Sequence, residues 1–289
     1  MYLTGFADEA AFDLAGQIRA TQALGWKYIE SRNIGGVNIH DIPERDFETV
    51  LEQFGAAGIQ VNCFGSAIGN WASKITDPFE VSLAQARRAI PRMRRLGARM
   101  VRVMSYAVLG ERSAWDQLEA ERFRRMRILT EMFKDAGLTP VHENCMNYGG
   151  MSWQHTLKLL ENVPGLKLVF DTGNPVFSAD WSKPVPHPRQ SSWEFYRQVK
   201  EHILYVHIKD AIWDQEKQTV KYTLPGEGEG EVARIVRDLV QNGYDGGFSM
   251  EPHLNLVQHD SNIAATAGEM FRSYVEYGRK FETLLRGIV

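Results

Sequence analysis

Four side chains with metal-binding chemistry occupy equivalent places in the second half of the sequence, each at the carboxyl end of a short apolar run. They are Glu143, Asp171, His207 and Glu251. Three carboxylates and one imidazole form a mostly oxygen ligand set, which suits a hard or borderline divalent ion. Acidic residues are rarely buried without a partner, so these equivalent positions are poorly explained as solvated charges. The pattern predicts one bound divalent metal ion, with Mn2+ as the first expectation and Mg2+, Co2+ or Zn2+ as alternatives.

The elements that must position these residues repeat along the chain. Six times a helix-like stretch ends in glycine and is followed within a few residues by an apolar run, as a short helix-to-strand connection requires. Two further apolar runs bring the predicted strands to eight, near residues 2–5, 27–32, 59–64, 100–105, 138–143, 167–171, 203–208 and 247–251. Strict alternation of apolar strands with helices indicates a parallel sheet, and eight units favour one (β/α)8 TIM barrel over residues 1–289. The carboxyl ends of all barrel strands converge on one mouth, which would bring the four ligands together.

Composition and charge narrow the class of protein. The 289 residues are 44% apolar and 24% charged, which is typical of a soluble globular chain. A net charge of −3 provides no broad positive field for nucleic acid. The first residues lack a signal-peptide pattern and no apolar run is long enough for a membrane span, so a cytoplasmic protein without membrane contacts is expected. Cys63 and Cys145 are expected in strands, as buried free thiols of a reducing compartment.

Side chains two positions beyond a ligand should share its face, because side chains alternate along a strand. Lys209 is therefore expected beside His207, and His253 beside Glu251. This arrangement would place a cation and an imidazole on the inner surface near the mouth.

Other polar residues fit either a structural or a functional role. Glu30 and Arg32 share a face at the end of the second strand, where they could form a buried ion pair or contact a substrate. Arg102 is an alternative ion-pair partner for Glu30. His142 precedes a ligand and should point away from the mouth, behind the metal site. The remaining histidines are expected at the surface or in loops: His40, His155, His187, His202 and His259.

Five segments in the second half carry a resemblance to a known group of proteins: HEN followed by YGG, FDTGN, YVHIKDA, PGEGEGEV and GYDGGFSMEPHL. In this order on successive strands they resemble the xylose-isomerase-like TIM-barrel superfamily of sugar isomerases and epimerases. That superfamily includes tagatose/psicose 3-epimerases, inosose dehydratases and proteins labelled sugar phosphate isomerases/epimerases, some of which act on 3-keto glycosides. The resemblance implies that the four ligands hold a metal ion and that Lys209 and His253 contact the substrate.

The sequence departs from these relatives around the implied substrate. Cys145 stands where many relatives have a glutamate, and Asn174 stands where the epimerases have a substrate-contacting histidine. Trp213 replaces an arginine of those epimerases. The resemblance therefore bears more strongly on the metal site than on the identity of the substrate. Asn174 is expected to contact substrate in place of the histidine.

Two connections that follow strands are longer than usual, residues 65–77 and 174–190, and should lie at the mouth. They could form a lid, contact a second copy of the chain, or be plain surface excursions. Trp71 and Trp181 in these loops would suit the apolar face of a sugar, although a loop tryptophan often only packs the loop down. The glycine-rich run with Glu227 and Glu229 lacks the residues of a phosphate loop and is expected to be a flexible loop near the mouth.

The expected chemistry is proton transfer on a keto or aldo sugar, and a 3-keto glycoside is a further candidate substrate. A divalent ion would acidify a C–H bond and stabilise an enediolate, while Glu143 and Glu251 remove and return the proton. Glu30 and Trp71 complete the expected substrate contacts, and an unphosphorylated substrate is favoured. Loss of a hydroxyl or glycosyl group would instead make the protein a dehydratase or lyase acting on an inosose or keto sugar. Two weaker alternatives are a nuclease related to AP endonuclease IV and a non-catalytic sugar-binding module with a structural metal.

Overall fold

The computed structural model describes residues 1–254 and 265–289, and in these residues eight parallel strands form a barrel surrounded by helices. The barrel strands are β1 (Tyr2–Gly5), β2 (Tyr28–Ser31), β3 (Gln60–Phe64), β4 (Met100–Val103), β5 (Thr139–Glu143), β6 (Lys167–Asp171), β7 (Ile203–Ile208) and β8 (Gly247–Met250). Each strand lies within two residues of its predicted bounds. The predicted (β/α)8 barrel is therefore confirmed.

The helices lie between successive strands. They are α1 (Leu14–Leu24), α2 (Glu44–Ala57), α3 (Phe79–Leu96), α4 (Glu119–Asp135), α5 (Trp153–Asn162), α6 (Asn174–Phe177), α7 (Ser192–Val199), α8 (Val232–Gln241) and α9 (Ala267–Arg286). Gly25, Gly58 and Gly97 end the first three helices with φ near +70°, as the junction pattern predicted. A membrane-crossing helix, long and apolar enough for that role, does not occur in the described parts of the chain.

The sheet closes at a seam between its first two strands. Consecutive strands pair in parallel from β2 through β8, and β8 pairs with β1. The two remaining edges meet at one parallel bridge, between Phe6 and Glu30. On the other side of β2 the pairing with β3 shifts register, since Ile29 pairs with Val61 but Glu30 pairs with Cys63. Glu30 therefore lies at two irregularities of the sheet, this shift and the single bridge to Phe6.

Two short hairpins at the mouth were not predicted. Asn33–Ile34 pairs with Val37–Asn38 after β2, and Ala211–Asp214 pairs with Thr219–Tyr222 after β7. Each hairpin follows a barrel strand rather than a helix, so it lacks the helix-terminal glycine that marked most of the barrel strands. Of the two long connections, residues 174–190 contain α6 and an antiparallel bridge between Ala179 and Arg189.

Two predictions about single residues, those for His155 and Cys145, were wrong. His155 is fully buried in α5, where it hydrogen-bonds Ser152 and the Ala114 carbonyl. His40 lies in a turn as expected, but it is also fully buried. Cys63 is a buried free thiol in β3 as predicted, whereas Cys145 lies beyond the end of β5 and is only half-buried. His187 and His202 lie in exposed connections as expected, and His259 lies outside the described residues.

The glycine-rich run is an anchored loop rather than a flexible one. The Asp210 carboxylate, next to the end of β7, accepts backbone N–H bonds of 2.8–3.0 Å from Gly226, Gly228 and Gly230. A Cβ atom at Gly228 would lie 2.4 Å from Asp210 Oδ1, so the close approach requires glycine there. The GEGEG motif therefore encloses a buried carboxylate of this chain.

A buried arginine organises the long connection after β4. Arg122 in α4 is fully buried and donates to three backbone carbonyls, those of Ser105, Ala107 and Gln117, at 2.5–2.7 Å. Its guanidinium also lies over the Tyr148 ring at 5.4 Å. These contacts tie the loop to the outside of the barrel and hold the segment that approaches the mouth.

Replacing this arginine should destabilise the protein strongly. Arg122→Met leaves three carbonyls without their donor, and each unmet buried polar group costs about 1–3 kcal/mol. We expect the free energy of unfolding to fall by about 3 kcal/mol or more in urea titrations. The control is Arg124→Met on the same helix, whose exposed ion pair with Glu121 should change it by less than about 1 kcal/mol. Equal effects of the two substitutions would contradict this role for Arg122.

Candidate active site

The four predicted ligands meet at the mouth of the barrel. They end four consecutive strands: Glu143 in β5, Asp171 in β6, His207 in β7 and Glu251 directly after β8. Each offers one ligand atom, and these atoms all lie within 4.8 Å of one another. All four residues are buried, with at most 4% of their surface exposed. The fold thus brings together residues separated by up to 108 positions, as the strand-end pattern predicted.

Glu30 orients the imidazole from behind. His207 Nε2 lies 3.0 Å from Glu30 Oε2, which also accepts a hydrogen bond from the Tyr205 hydroxyl at 2.9 Å. With Nε2 bound to Glu30, Nδ1 points toward Glu143 and Glu251, at 3.6 and 3.9 Å. Burial lowers the pKa of His207, but the carboxylates of Glu30 and Glu143 outweigh burial and raise that pKa to about 10. A carboxylate behind a ligating histidine fixes its tautomer and increases its basicity.

Two arginines each hold one oxygen of a glutamate ligand. Arg102 Nη1 donates to Glu143 Oε2 at 2.9 Å, and Arg32 Nη1 donates to Glu251 Oε1 at 2.8 Å. Burial opposes ionisation of Glu143, yet Arg102 and His207 bring its pKa down to about 2. Lys209 and other cations overcome burial at Glu251 and hold its pKa well below the usual range. Both glutamates are therefore ionised at neutral pH.

These arginine contacts correct two predictions. Arg32 was predicted to pair with Glu30, but it forms ion pairs with Asp8, Glu9 and Glu251 instead. Arg102 likewise donates to Glu143 rather than to Glu30. Sequence reasoning missed Asp8 and Glu9, because they lie in a 3-10 turn just after β1 and carry no motif.

Lys209 and Asn174 join the ligand group to the cavity wall. The Lys209 ammonium lies 2.7 Å from Glu251 Oε2 and 3.1 Å from Asp171 Oδ2, and it donates to Asn174 Oδ1 at 3.0 Å. Asn174 Nδ2 donates in turn to Glu143 Oε1 at 3.0 Å. Gly173 makes this packing possible, since a Cβ atom there would lie 2.7 Å from Lys209 Cγ. The glycine of the DTGN motif thus lets the lysine reach the ligands.

The hydrogen bonds of the four predicted ligands provide an independent test of whether these residues fit a divalent ion. Asp171 Oδ1 accepts two backbone N–H bonds, and the Lys209 ammonium contacts both Asp171 Oδ2 and Glu251 Oε2. His207 Nδ1, by contrast, is buried without a hydrogen bond, and a buried ring nitrogen is rarely left in this state unless something else binds it. Burial also raises the pKa of Asp171 to about 6, because Lys209 offsets it only in part. Glu30 holds Nε2 of His207 and leaves Nδ1 directed toward Glu143 and Glu251, as a metal ligand would require.

His253 lies beside the ligands as the strand alternation predicted. Its Nδ1 is 3.0 Å from Glu9 Oε1, its Nε2 is 3.6 Å from Glu251 Oε1, and its ring contacts Tyr222 edge-on. Glu9, Glu251 and His253 form a second group with metal-ligand atoms close together. Arg32 donates to both glutamates of this group, so a guanidinium already supplies its positive charge.

A cavity of about 290 Å³ opens over this constellation. Its lining includes charged and amide side chains from the metal-ligand group and the first hairpin: Arg32, Asn33, Asn38, Arg102, Glu143, Asn174, Lys209, Glu251 and His253. Trp71 and Cys145 contribute to the wall from the connections after β3 and β5. Glu30 is not among the lining residues, and its full burial behind His207 suits a positioning role better than the expected substrate contact.

Solved structures of other proteins share this fold at low sequence identity. A probable 3-DHS dehydratase, AsbF of Bacillus anthracis, superimposes with a TM-score of 0.69 at 14% identity, over 96% of this chain and 98% of that one. D-allulose 3-epimerase of Methylomonas sp., in complex with D-allulose, gives 0.66 at 15% identity, over 97% and 96%. A xylose isomerase-like TIM barrel protein of Mycobacterium smegmatis, in complex with magnesium, gives 0.67 at 17%, over 94% and 89%.

A comparison with curated protein sequences gave no match. The sequence profile of one family does match, over residues 18–274, which is most of the chain. Its barrel architecture agrees with the strand order observed here. The chain belongs to the xylose isomerase-like TIM barrel family.

Proposed function

We propose that this protein is a divalent-metal-dependent isomerase or epimerase that moves a proton on a keto or aldo sugar, including a 3-keto glycoside. The observation that carries the proposal is the buried group of Glu143, Asp171, His207 and Glu251, whose potential ligand atoms lie within 4.8 Å of one another while His207 Nδ1 has no hydrogen bond. Two ionised glutamates flank this centre beside a polar cavity of sugar size. A metal ion and paired carboxylates are the groups that reversible C–H proton transfer requires.

The ion would be held by Glu143, Asp171, His207 and Glu251. When bound, a divalent ion acidifies a C–H bond next to a carbonyl and stabilises the negative charge that develops there. The oxygen-rich donor set suits Mn2+ or Mg2+, and it also admits Co2+ or Zn2+. Glu30 would keep the His207 ring in the ligating orientation through the 3.0 Å contact with Nε2.

The two glutamates supply the proton-transfer groups. Glu143 and Glu251 come from β5 and from the end of β8, so they approach the centre from different sides of the mouth. One removes the proton and the other returns it, to the neighbouring carbon in an isomerase or to the opposite face in an epimerase. Their pKa values, about 2 for Glu143 and lower than usual for Glu251, make each a weak base that releases a proton readily. Such groups suit a reaction in which the proton must be given back.

The remaining cavity residues orient an uncharged substrate. Lys209 and His253 can donate hydrogen bonds to sugar oxygens, and Asn174 can donate or accept. Trp71 offers an apolar surface at the cavity wall. Each of Arg32, Arg102 and Lys209 is already paired with a carboxylate, so these three cations are poorly placed to bind a phosphate group. This favours a neutral sugar over a sugar phosphate.

Elimination is the second candidate reaction. His253 Nε2 lies 3.6 Å from Glu251 Oε1, which places a potential proton donor beside a potential base. After removal of a proton by Glu251, His253 or Lys209 could protonate a leaving hydroxyl or glycosyl oxygen instead of a carbon. The same residues would then act as a dehydratase or lyase.

Metal content should depend on these residues in a graded way. His207→Ala should lose bound metal after dialysis, whereas Glu30→Gln should weaken Mn2+ binding by about 10–100-fold, as is typical when the support of a ligand is lost. Elemental analysis and Mn2+ titration would measure both effects. Glu194→Gln, an exposed glutamate, is the control and should bind as the unmodified protein does. Unchanged affinity in both His207→Ala and Glu30→Gln would contradict the ligand assignment.

The reaction class should be visible by NMR in D2O. We expect the protein, supplied with Mn2+, to exchange a carbon-bound proton of an unphosphorylated ketohexose, inosose or 3-keto glucoside. An isomerase or epimerase would give a rearranged sugar, and a lyase would give an unsaturated product. Sugar phosphates are the matched comparison, and a clear preference for them would reverse the proposed substrate class. A binding module would exchange no proton on any substrate.

Removing either glutamate should stop proton exchange. Loss of a general acid or base typically lowers the rate about 10²–10⁴-fold, so Glu143→Gln and Glu251→Gln should lose exchange to this extent at saturating Mn2+. Metal content is measured on the same samples, which separates lost metal from lost proton transfer. Near-normal exchange in a metal-loaded variant would remove that glutamate from the mechanism.

A further inference from the structure

A second cavity adjoins the one over the metal ligands. It has a volume of about 380 Å³ and shares three wall residues with the first: Trp71, Cys145 and Met146. Its other lining residues come from the connections after β4, β5 and β6: Ala107, Val108, Asn147, Gly150, Met151, Phe177, Ser178, Ala179 and Trp181. We call this space the outer cavity. The three shared residues place the two cavities side by side at the mouth of the barrel.

The outer cavity differs sharply from the first in chemistry. None of its described lining residues is charged, while the first cavity is lined by two arginines, a lysine and two glutamates. Two tryptophans and Phe177 provide aromatic surface, and Met146 and Met151 provide thioether side chains, which make favourable contacts with aromatic rings. Such a lining favours an apolar or aromatic group over a second sugar with many hydroxyls.

The wall of the outer cavity is built into the fold. Trp181 donates its backbone N–H to the Met151 carbonyl at 3.0 Å, and Met151 is buried. Gln190 is buried as well and donates to the carbonyls of Gly150 and Ala179, at 2.8 and 3.0 Å. With the Ala179–Arg189 bridge, these bonds fix the 178–190 connection against the barrel. A site prepared in this way loses little conformational entropy on binding.

We infer that the outer cavity binds an apolar, ring-shaped substituent carried by the sugar, such as the aromatic aglycone of a glycoside. The inference rests on the proposed function, since it places the sugar over the metal ligands and the aglycone against Trp181 and Phe177. Trp71 lies at the junction of the two cavities and would contact both parts of the substrate. The combined space lies within the range of about 300–1,000 Å³ that is usual for small-molecule sites.

The direct test compares phenyl β-glucoside with methyl β-glucoside, because the two differ only in the aglycone. Binding to the full-length chain with Mn2+ is measured by calorimetry, which does not depend on turnover. We expect the phenyl compound to bind about tenfold more tightly. Trp181→Ala should reduce this preference to about twofold or less. Trp115→Ala removes a half-exposed tryptophan that does not line the outer cavity, and it should retain the preference.

Proton exchange on the 3-keto forms of the same two glucosides separates this inference from the proposed function. Exchange with an aryl preference supports both, whereas a binding preference without exchange supports the outer cavity and contradicts the proposed reaction. Equal binding of the two glucosides overturns the inference, and so does a preference that survives in Trp181→Ala. A change of oligomeric state in Trp181→Ala, with no aryl preference in the unmodified protein, would assign the surface to a second copy of the chain.

Discussion

The mouth of this barrel buries more carboxylates than permanently charged cations. Many of the local contacts are ion pairs and hydrogen bonds that stabilise these buried carboxylates. Six carboxylates lie buried around it: Asp8, Glu9, Glu30, Glu143, Asp171 and Glu251. Three cations of permanent charge lie among them: Arg32, Arg102 and Lys209. A buried ion without a counter-charge costs several kcal/mol, so such a cluster persists only where further positive charge is supplied. A protonated histidine or the divalent ion that we propose can supply it.

The same charges also close the barrel where its backbone pairing is weakest. Between β1 and β2 the sheet has one bridge, Phe6 to Glu30. Arg32, just beyond β2, pairs with Asp8 after β1 and with Glu251 after β8. Glu30 reaches across to His207 in β7. Side-chain contacts therefore join both edges of the seam, and the residues that form the site also complete the fold.

The sequence permitted a good prediction of the strands and of the four residues that meet at the mouth, because both follow simple periodic rules. Helix-terminal glycines and apolar runs located every strand, and ligands at strand ends converge because a parallel barrel brings these ends together. The partners of the arginines were not predictable in the same way. Alternation along one strand placed Glu30 and Arg32 on one face, but their partners lie on or just after other strands, which alternation along β2 cannot reveal.

Short or motif-free elements were the other source of error. The hairpin of residues 211–222 carries no motif that distinguishes it from a loop. Cys145 lies two residues past the end of β5, and strand ends are usually predicted only to within about two to four residues. His155 is buried because it hydrogen-bonds the Ala114 carbonyl and stacks on Trp115, which are tertiary contacts with no local signature. Contacts between distant segments decide such cases.

The enclosure of Asp210 by glycine amides has a consequence for how this barrel can vary. Asp210 follows Lys209 directly, so fixing its carboxylate also fixes the end of the strand that carries the lysine. The backbone bond from Glu229 N–H to the Ala211 carbonyl closes the base of the hairpin at 2.7 Å. Its tip, residues 215–218, is exposed and lies beyond these bonds. Insertions or a reporter group at the tip can therefore change the outline of the mouth while the position of Lys209 is preserved.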